Sequence, residues 1–478
     1  MGIYSIRFVP FAITVILLYN LARPRAWRQT VLLIANIYFL ASFASNFKAF
    51  VPFISFLALG FMVVRLMQNR RGQSAYLPML VGVIVIFVWL KKYTFLPTTT
   101  FLRFPYVTIG LSYIFFRILH LIIDTRDGSL PDRIGPIAYL NYTLNFTSLV
   151  AGPIQWYPEF AATQLDPVRP PLTLPIAGRA IERIITGFFK AIVPSMLFSS
   201  LQSWALSLLS PVQPFVARVL TGAVIAAAYP IYLYFNFSGY TDIVIGVARF
   251  MRLTLPENFN RPFSSLNFID FWNRWHITLS RWLKTYVYTP LVKSLMQRYP
   301  SPSVEPYLGV IGFFVTFFLV GVWHGQTSVF LVFGVWLGLG VSVNKLYQVL
   351  ITRRLGRKGY KALANDPIYQ AFARGLTFTW FTFSMFWFWS TWGQMTLIAV
   401  TMRAAAIATM WPMILLGATV ALAAWEVARN WALSLQWNGG TLLLSPYFRT
   451  VWLAALMITT LLVLAITNAE PEPVYRNF

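Results

Sequence analysis

Three histidines, His120, His276 and His324, are nearly the whole pool of side chains that could move protons near neutral pH in this chain. There is no cysteine, which removes thiolate catalysis, disulfides and cysteine-ligated metals. Three dispersed histidines are too few for a metal centre, so no metal and no bound cofactor are expected. His324 sits in GVWHGQT (321–327), between the apolar runs FFVTFFLV and SVFLVFGVWLGLGV. An ionisable group is expensive in such a run and points to function. An apolar setting favours neutral imidazole, whose lone pair can take a proton from a hydroxyl. Gly321 and Gly325 would let backbone or substrate come close. The plainer alternative is a histidine hydrogen-bonded between helices.

His276 belongs to LPENFNRPFSSLNFIDFWNRWHITLSRWLKTYVYTP (255–290), where aromatic, amide, Arg and His residues are denser than an ordinary span tolerates. Asp270 can cap a helix that begins at Phe271. Trp272, Trp275, Leu279 and Trp282 would then share one face, and Asn273, His276, Ser280 and Lys284 a polar one. Such a helix would lie at the membrane interface or beside a wet cavity. On this reading His276 is either a functional group or a plain interfacial histidine. His120 has Asp124 one turn later, a spacing that suits a structural pair near a helix end. Phosphate loops, dinucleotide glycine motifs, zinc-protease motifs and nucleophile elbows do not occur. Asp242 is expected to line a cavity or pack helices, and Glu426 to pair with Arg429.

Long apolar helices must carry these groups. Of 478 residues 58% are hydrophobic and 11% charged, and the mean hydropathy is +0.63, which only an integral membrane protein supports. The expected fold is all-α and polytopic, with roughly 11–13 spanning or re-entrant helices. The segments run over about 4–21, 30–46, 49–67, 76–90, 105–123, 181–207, 214–237, 239–253, 307–323, 326–347, 373–399, 408–426 and 449–467. Residues 138–156 are a doubtful further case. The first run is expected to be a retained helix, because ARPRAW follows it in place of a cleavage site.

The net charge of +24 follows from 38 Lys and Arg against 14 Asp and Glu. The positive-inside rule accounts for it, with RPRAWR, NRRG, TRDGSLPDR and TRRLGRKGYK as cytoplasmic loops and the N-terminus outside. Lys91 and Lys92 fit that scheme poorly. A basic inner face would also suit an acidic carrier protein. Charge scattered between spans excludes nucleic acid as a partner. A transporter is the rival class, but no internal repeat supports it.

At this point the chain resembles the membrane-bound O-acyltransferase family, in its bacterial branch of alginate O-acetylation and D-alanyl transfer proteins. The likeness rests on GLSYIFFRILHLIIDTRDG (110–128), VAGPIQWYPEF (150–160), YFNFSGYTDIVIGVARFMRLTLPENFNRPF (234–263), FWNRWHITLSRWLKTYVYTPL (271–291) and FFLVGVWHGQTSVFLVFGVW (317–336). It divides the chain into N-terminal helices (1–104), a catalytic core (105–347) and C-terminal helices with a tail (348–478). The resemblance implies helices around a central tunnel, with His324 as the catalytic histidine and His276 as the second. Asn273, Trp275, Trp323, Ser238 and Tyr240 are expected to position the donor or line the tunnel.

It further implies an acyl donor on the cytoplasmic side, either acyl-CoA or an acyl-phosphopantetheinyl carrier protein. The expected product is an acyl group, acetyl first and D-alanyl second, on a hydroxyl of an extracellular or cell-wall polysaccharide. An extracytoplasmic partner protein would accept or pass on that group, and the location would be the bacterial inner membrane. The ending EPVYRNF partly resembles that of a small membrane peptide which accompanies D-alanyl transfer proteins. Tyr475 is therefore either part of an ordinary tail or an acyl relay in cis.

Overall fold

Apolar runs with no water to bond their backbone must close their own hydrogen bonds, and helices dominate this chain for that reason. A computed structural model describes residues 1–44, 46–69, 74–130, 133–166, 171–437 and 440–467. Among them, seven helices are long and apolar enough to cross a membrane, and Phe8–Leu21 and Tyr76–Lys91 are shorter apolar helices. The described strands form one antiparallel ribbon that pairs Gln436 with Thr441 and Trp437 with Gly440. The chain is an all-α polytopic membrane protein, as expected.

It divides into two compact units. Met1–Ile192, Asn236–Glu257 and the stretch from Leu464 make the first, and Val193–Phe235 with Asn258–Val463 the second. The first contains α1 (Phe8–Leu21), α2 (Arg25–Ala41), α3 (Val51–Met67), α4 (Tyr76–Lys91), α5 (Leu111–Arg126), α6 (Pro136–Thr143) and α7 (Tyr157–Gln164). Two long helices, α8 (Leu174–Leu208) and α9 (Phe215–Phe250), continue from one unit into the other.

The doubtful stretch 138–156 is the short helix α6 followed by buried irregular chain. Non-helical backbone is tolerated at membrane depth only where protein satisfies it, and Arg117 does so. Its guanidinium donates to the Thr143 carbonyl (2.6 Å), the Ser148 carbonyl (2.8 Å) and the Ser148 hydroxyl (2.7 Å). Asn36 accepts from the Phe146 amide at 2.8 Å. Lys91 is buried, not solvated, and donates to Ser112 Oγ at 3.3 Å. That inward turn explains why it fitted no loop.

The expected break near Ser238 does not exist, because α9 is continuous through it. Gly239 lets α9 meet α8 backbone to backbone: a Cβ there would lie 2.6 Å from the Gly187 carbonyl oxygen. Small residues at such crossings replace the missing hydrophobic drive between helices in lipid.

The second unit contains α10 (Phe268–Trp272), α11 (Ile277–Leu283), α12 (Thr289–Arg298), α13 (Glu305–His324), α14 (Val329–Asn365), α15 (Pro367–Trp389) and α16 (Trp392–Ser434), and most of α17 (Pro446–Thr467). The basic TRRLGRKGYK is helical, not a loop, since α14 runs through it with a kink at Gly356 (φ 69°). The single span expected over 373–399 is two helices. Thr391 accepts from the Gln394 amide in a capping box that restarts the chain as α16.

Candidate functional site

His276 does not lie on a helix. The amphipathic helix expected from Phe271 is interrupted after Trp272, and the chain turns before α11 begins at Ile277. Asn267, not Asp270, caps α10: its side chain accepts from the Asp270 amide at 2.9 Å. Asp270 instead holds Arg274 at 3.0 Å. The cause of the turn is the preceding PENFN segment. Asn260 N–H donates to the Arg274 carbonyl (2.9 Å), Ile277 N–H donates to the Asn258 carbonyl (3.0 Å), and Phe259 and Trp275 form an antiparallel bridge. This clamp drives His276 to φ 46°, ψ 50°, the left-handed region that a residue with a Cβ seldom adopts.

The ring of His276 is 1% exposed. Its Nδ1 lies 3.3 Å from Asn258 Oδ1. Trp275 faces into an aromatic core, stacked on Phe271 (5.6 Å) and packed on Phe381 (4.9 Å) and Phe259 (5.2 Å). The indole is thus a wall that fixes the turn on which the next residue sits.

His324 is the last residue of α13 and is 4% exposed. Gly325 is extended (φ −148°) and carries the chain off the helix toward α14. At both flanking glycines protein takes the space. A Cβ on Gly321 would lie 2.1 Å from Gly334 Cα, and one on Gly325 would lie 2.1 Å from the Phe330 ring. The imidazole is edge-on to Trp323 (4.7 Å), Phe388 (5.3 Å) and Phe333 (6.0 Å). A buried imidazole enclosed by apolar rings is shielded from bulk water, which suits a base that must not be spent on hydrolysis.

The remaining expected residues are dispersed. Asn273 is exposed and lines a cavity of about 140 Å³ with Trp272, Ser280, Lys284, Tyr288 and Phe317. Lys284–Tyr288 is a π-helical turn, an irregularity frequent at functional sites. Asn273, Ser280 and Lys284 do share a surface, as the expected polar face required, but His276 is turned elsewhere because the helix is broken. Ser238 and Tyr240 are buried in the first unit. Tyr475 lies outside the described residues.

The third histidine and three acidic groups, Asp242, Glu257 and Glu426, have structural partners. His120 Nε2 accepts from the Tyr157 amide at 2.9 Å, while Nδ1 faces Asp124 at 3.2 Å, the pair its spacing suggested. Asp242 joins Arg183 (2.9 Å) and Lys190 (2.7 Å), and Arg183 also grips Glu257. Burial works against the Glu257 carboxylate, but Arg183 and Arg249 hold it below the ordinary carboxylate range. Glu426 does reach Arg429 at 3.6 Å, yet its nearer cation is Arg261 at 2.9 Å, which ties α16 to the NRPF loop. Arg117 and Asn258 were not singled out from the sequence. Their signals were an arginine inside an apolar run, and two asparagines flanking Phe259.

Helices of this length, with buried polar groups held inside protein, define a multi-pass membrane protein. A model of MBOAT, the membrane-bound O-acyltransferase family, matches residues 125–386, more than half of the chain, and the chain belongs to that family. The matched region contains His276 and His324. The chain is 28% identical over 242 residues to a teichoic acid D-alanyltransferase of Bacillus subtilis, covering 50% of this chain and 59% of that one. It is 29% identical over 336 residues to a probable alginate O-acetylase, AlgI, of Pseudomonas fluorescens, covering 69% and 63%. A Streptococcus thermophilus teichoic acid D-alanyltransferase is 29% identical over 275 residues, covering 56% and 65%. The chain therefore spans under two thirds of the length of each of these relatives.

Proposed function

We propose that this protein is an O-acyltransferase of the bacterial inner membrane. It passes an acyl group from a cytoplasmic thioester to a hydroxyl used to modify an extracellular polysaccharide. The observation that carries the reading is the pair of buried histidines, one at a helix end and one in a clamped turn, inside the region the family model matches. A hydroxyl is a weak nucleophile. Neutral His324 takes its proton as the oxygen attacks the thioester carbonyl, and the departing thiolate is protonated in turn, so an ester and a free thiol result. The apolar rings around His324 keep water from competing.

Acetyl is the first choice of acyl group, on the likeness to the P. fluorescens alginate O-acetylase, which extends over 336 residues. The D-alanyltransferase likeness supports the second choice, a D-alanyl group brought by a carrier protein. Either acyl-CoA or an acyl-phosphopantetheinyl carrier protein serves as donor, and an acidic carrier would complement the net charge of +24. An extracytoplasmic partner protein, or Tyr475 in cis, would receive the group before the polymer does.

Purified protein in bilayer discs, given labelled acetyl-coenzyme A or D-alanyl carrier protein with a polysaccharide acceptor, tests the reading. Transfer that disappears in a folded His324→Gln variant is expected. Undiminished transfer in that variant would remove His324 from the mechanism.

A further inference from the structure

The hydrogen-bond pattern around Asn258 determines which nitrogen of His276 carries its hydrogen. Asn258 Oδ1 accepts from the Thr278 backbone amide at 3.2 Å and from the Thr278 hydroxyl at 2.9 Å. A backbone N–H can only donate, so that contact assigns the oxygen end of the Asn258 amide. His276 Nδ1 lies 3.3 Å from the same oxygen and must donate to it. The neutral ring is then the Nδ1–H tautomer, and Nε2 bears the lone pair. The backbone clamp reinforces this, because Ile277 N–H donates to the Asn258 carbonyl at 3.0 Å. One residue thus holds both the ring of His276 and the amide of the residue that follows it. Asn258 is 0% exposed, and its Nδ2 has no hydrogen-bond partner among the described residues. An asparagine kept only to stabilise a core would bond its amide nitrogen too, since an orphaned buried donor costs stability.

We propose that Asn258 is a positioning residue for acyl transfer. It locks His276 as the Nδ1–H tautomer, so that Nε2 meets the substrate as a hydrogen-bond acceptor. This rests on the reading of His276 as a site residue. It also narrows that reading: Nε2 accepts a hydrogen bond from a substrate donor other than the hydroxyl hydrogen that His324 removes, and does not stabilise an oxyanion. Lysine or arginine at 276 could not substitute, having no acceptor atom.

The test is nitrogen-15 NMR of the full chain in bilayer discs with labelled histidine, where three residues give few signals and His276→Gln assigns those of residue 276. In the wild type, protonated Nδ1 and hydrogen-free Nε2 are expected at His276. Asn258→Asp keeps the acceptor oxygen and should keep that tautomer, whereas Asn258→Leu should give a mixture. A wild-type His276 protonated at Nε2 would overturn the proposal without recourse to any variant. With labelled acetyl-coenzyme A, Asn258→Leu should lower kcat about 10²-fold with little change in KM, less than the roughly 10⁴-fold loss when a protease triad histidine is held in the wrong tautomer. Asn258→Asp should recover most of that loss. Unchanged kcat in folded Asn258→Leu would refute the positioning role. Full transfer by His276→Gln beside an intact tautomer would instead reject the site reading of His276 and leave the geometry standing.

Discussion

The two histidines of the second unit are held by opposite means. His324 ends a regular apolar helix, and its surroundings are close-packed glycine backbone and aromatic rings. His276 sits in a turn between helices of five and seven residues, held by side-chain and backbone hydrogen bonds from a neighbouring segment. One position depends on packing, where small volume changes are costly. The other depends on a few polar contacts, each of which fixes a direction. Packing can bury a base and keep it dry, but orienting a ring nitrogen requires hydrogen bonds.

Substitutions can break this contrast. The largest effect is expected from His324→Gln, with transfer falling on the order of 10²–10⁴-fold while elution on size exclusion is unchanged. Next comes Gly321→Val, whose Cβ would collide with Gly334 Cα. Overpacking of this kind costs about 1–3 kcal/mol, so the melting temperature in detergent should fall and transfer with it. If Gly321→Val left stability intact, the packing account of the His324 end would be wrong.

Asn267→Ala should cost about 1 kcal/mol through loss of the α10 cap. Asp270→Asn should cost least, in the range of about 0–1 kcal/mol typical of a solvent-accessible ion pair. Melting curves that ranked Asp270→Asn above Asn267→Ala would reverse the assignment of the cap.

The same contrast decided what could be read in advance. Around His324 the apolar run and the glycines carry the information locally, and α13 (305–324) closely follows the expected 307–323. Around His276 the spacing of Trp272, Trp275 and Leu279 satisfies helical periodicity, yet the backbone turns, because Phe259 pairs with Trp275 and the Asn258 carbonyl with the Ile277 amide. Periodicity reports burial along one segment and is blind to a second segment that competes for its hydrogen bonds. The α15–α16 boundary was missed for a related reason. Apolar runs close in on both sides of the short Ser390–Gln394 break, and the stop is written in a Thr391–Gln394 capping pair that average hydropathy does not weigh. Arg117 was likewise invisible as a structural residue, since a guanidinium inside an apolar helix reads as a cost until the carbonyls it serves are known.

The left-handed backbone at residue 276 also bears on how this position can change over generations. Most side chains resist φ near 46°, whereas glycine tolerates it and asparagine and aspartate do so more readily than others. An alanine exchange there would mix a backbone penalty with the loss of the ring, and asparagine is the cleaner probe. A lineage released from the need for imidazole would drift toward asparagine or glycine at this site, not toward alanine or leucine.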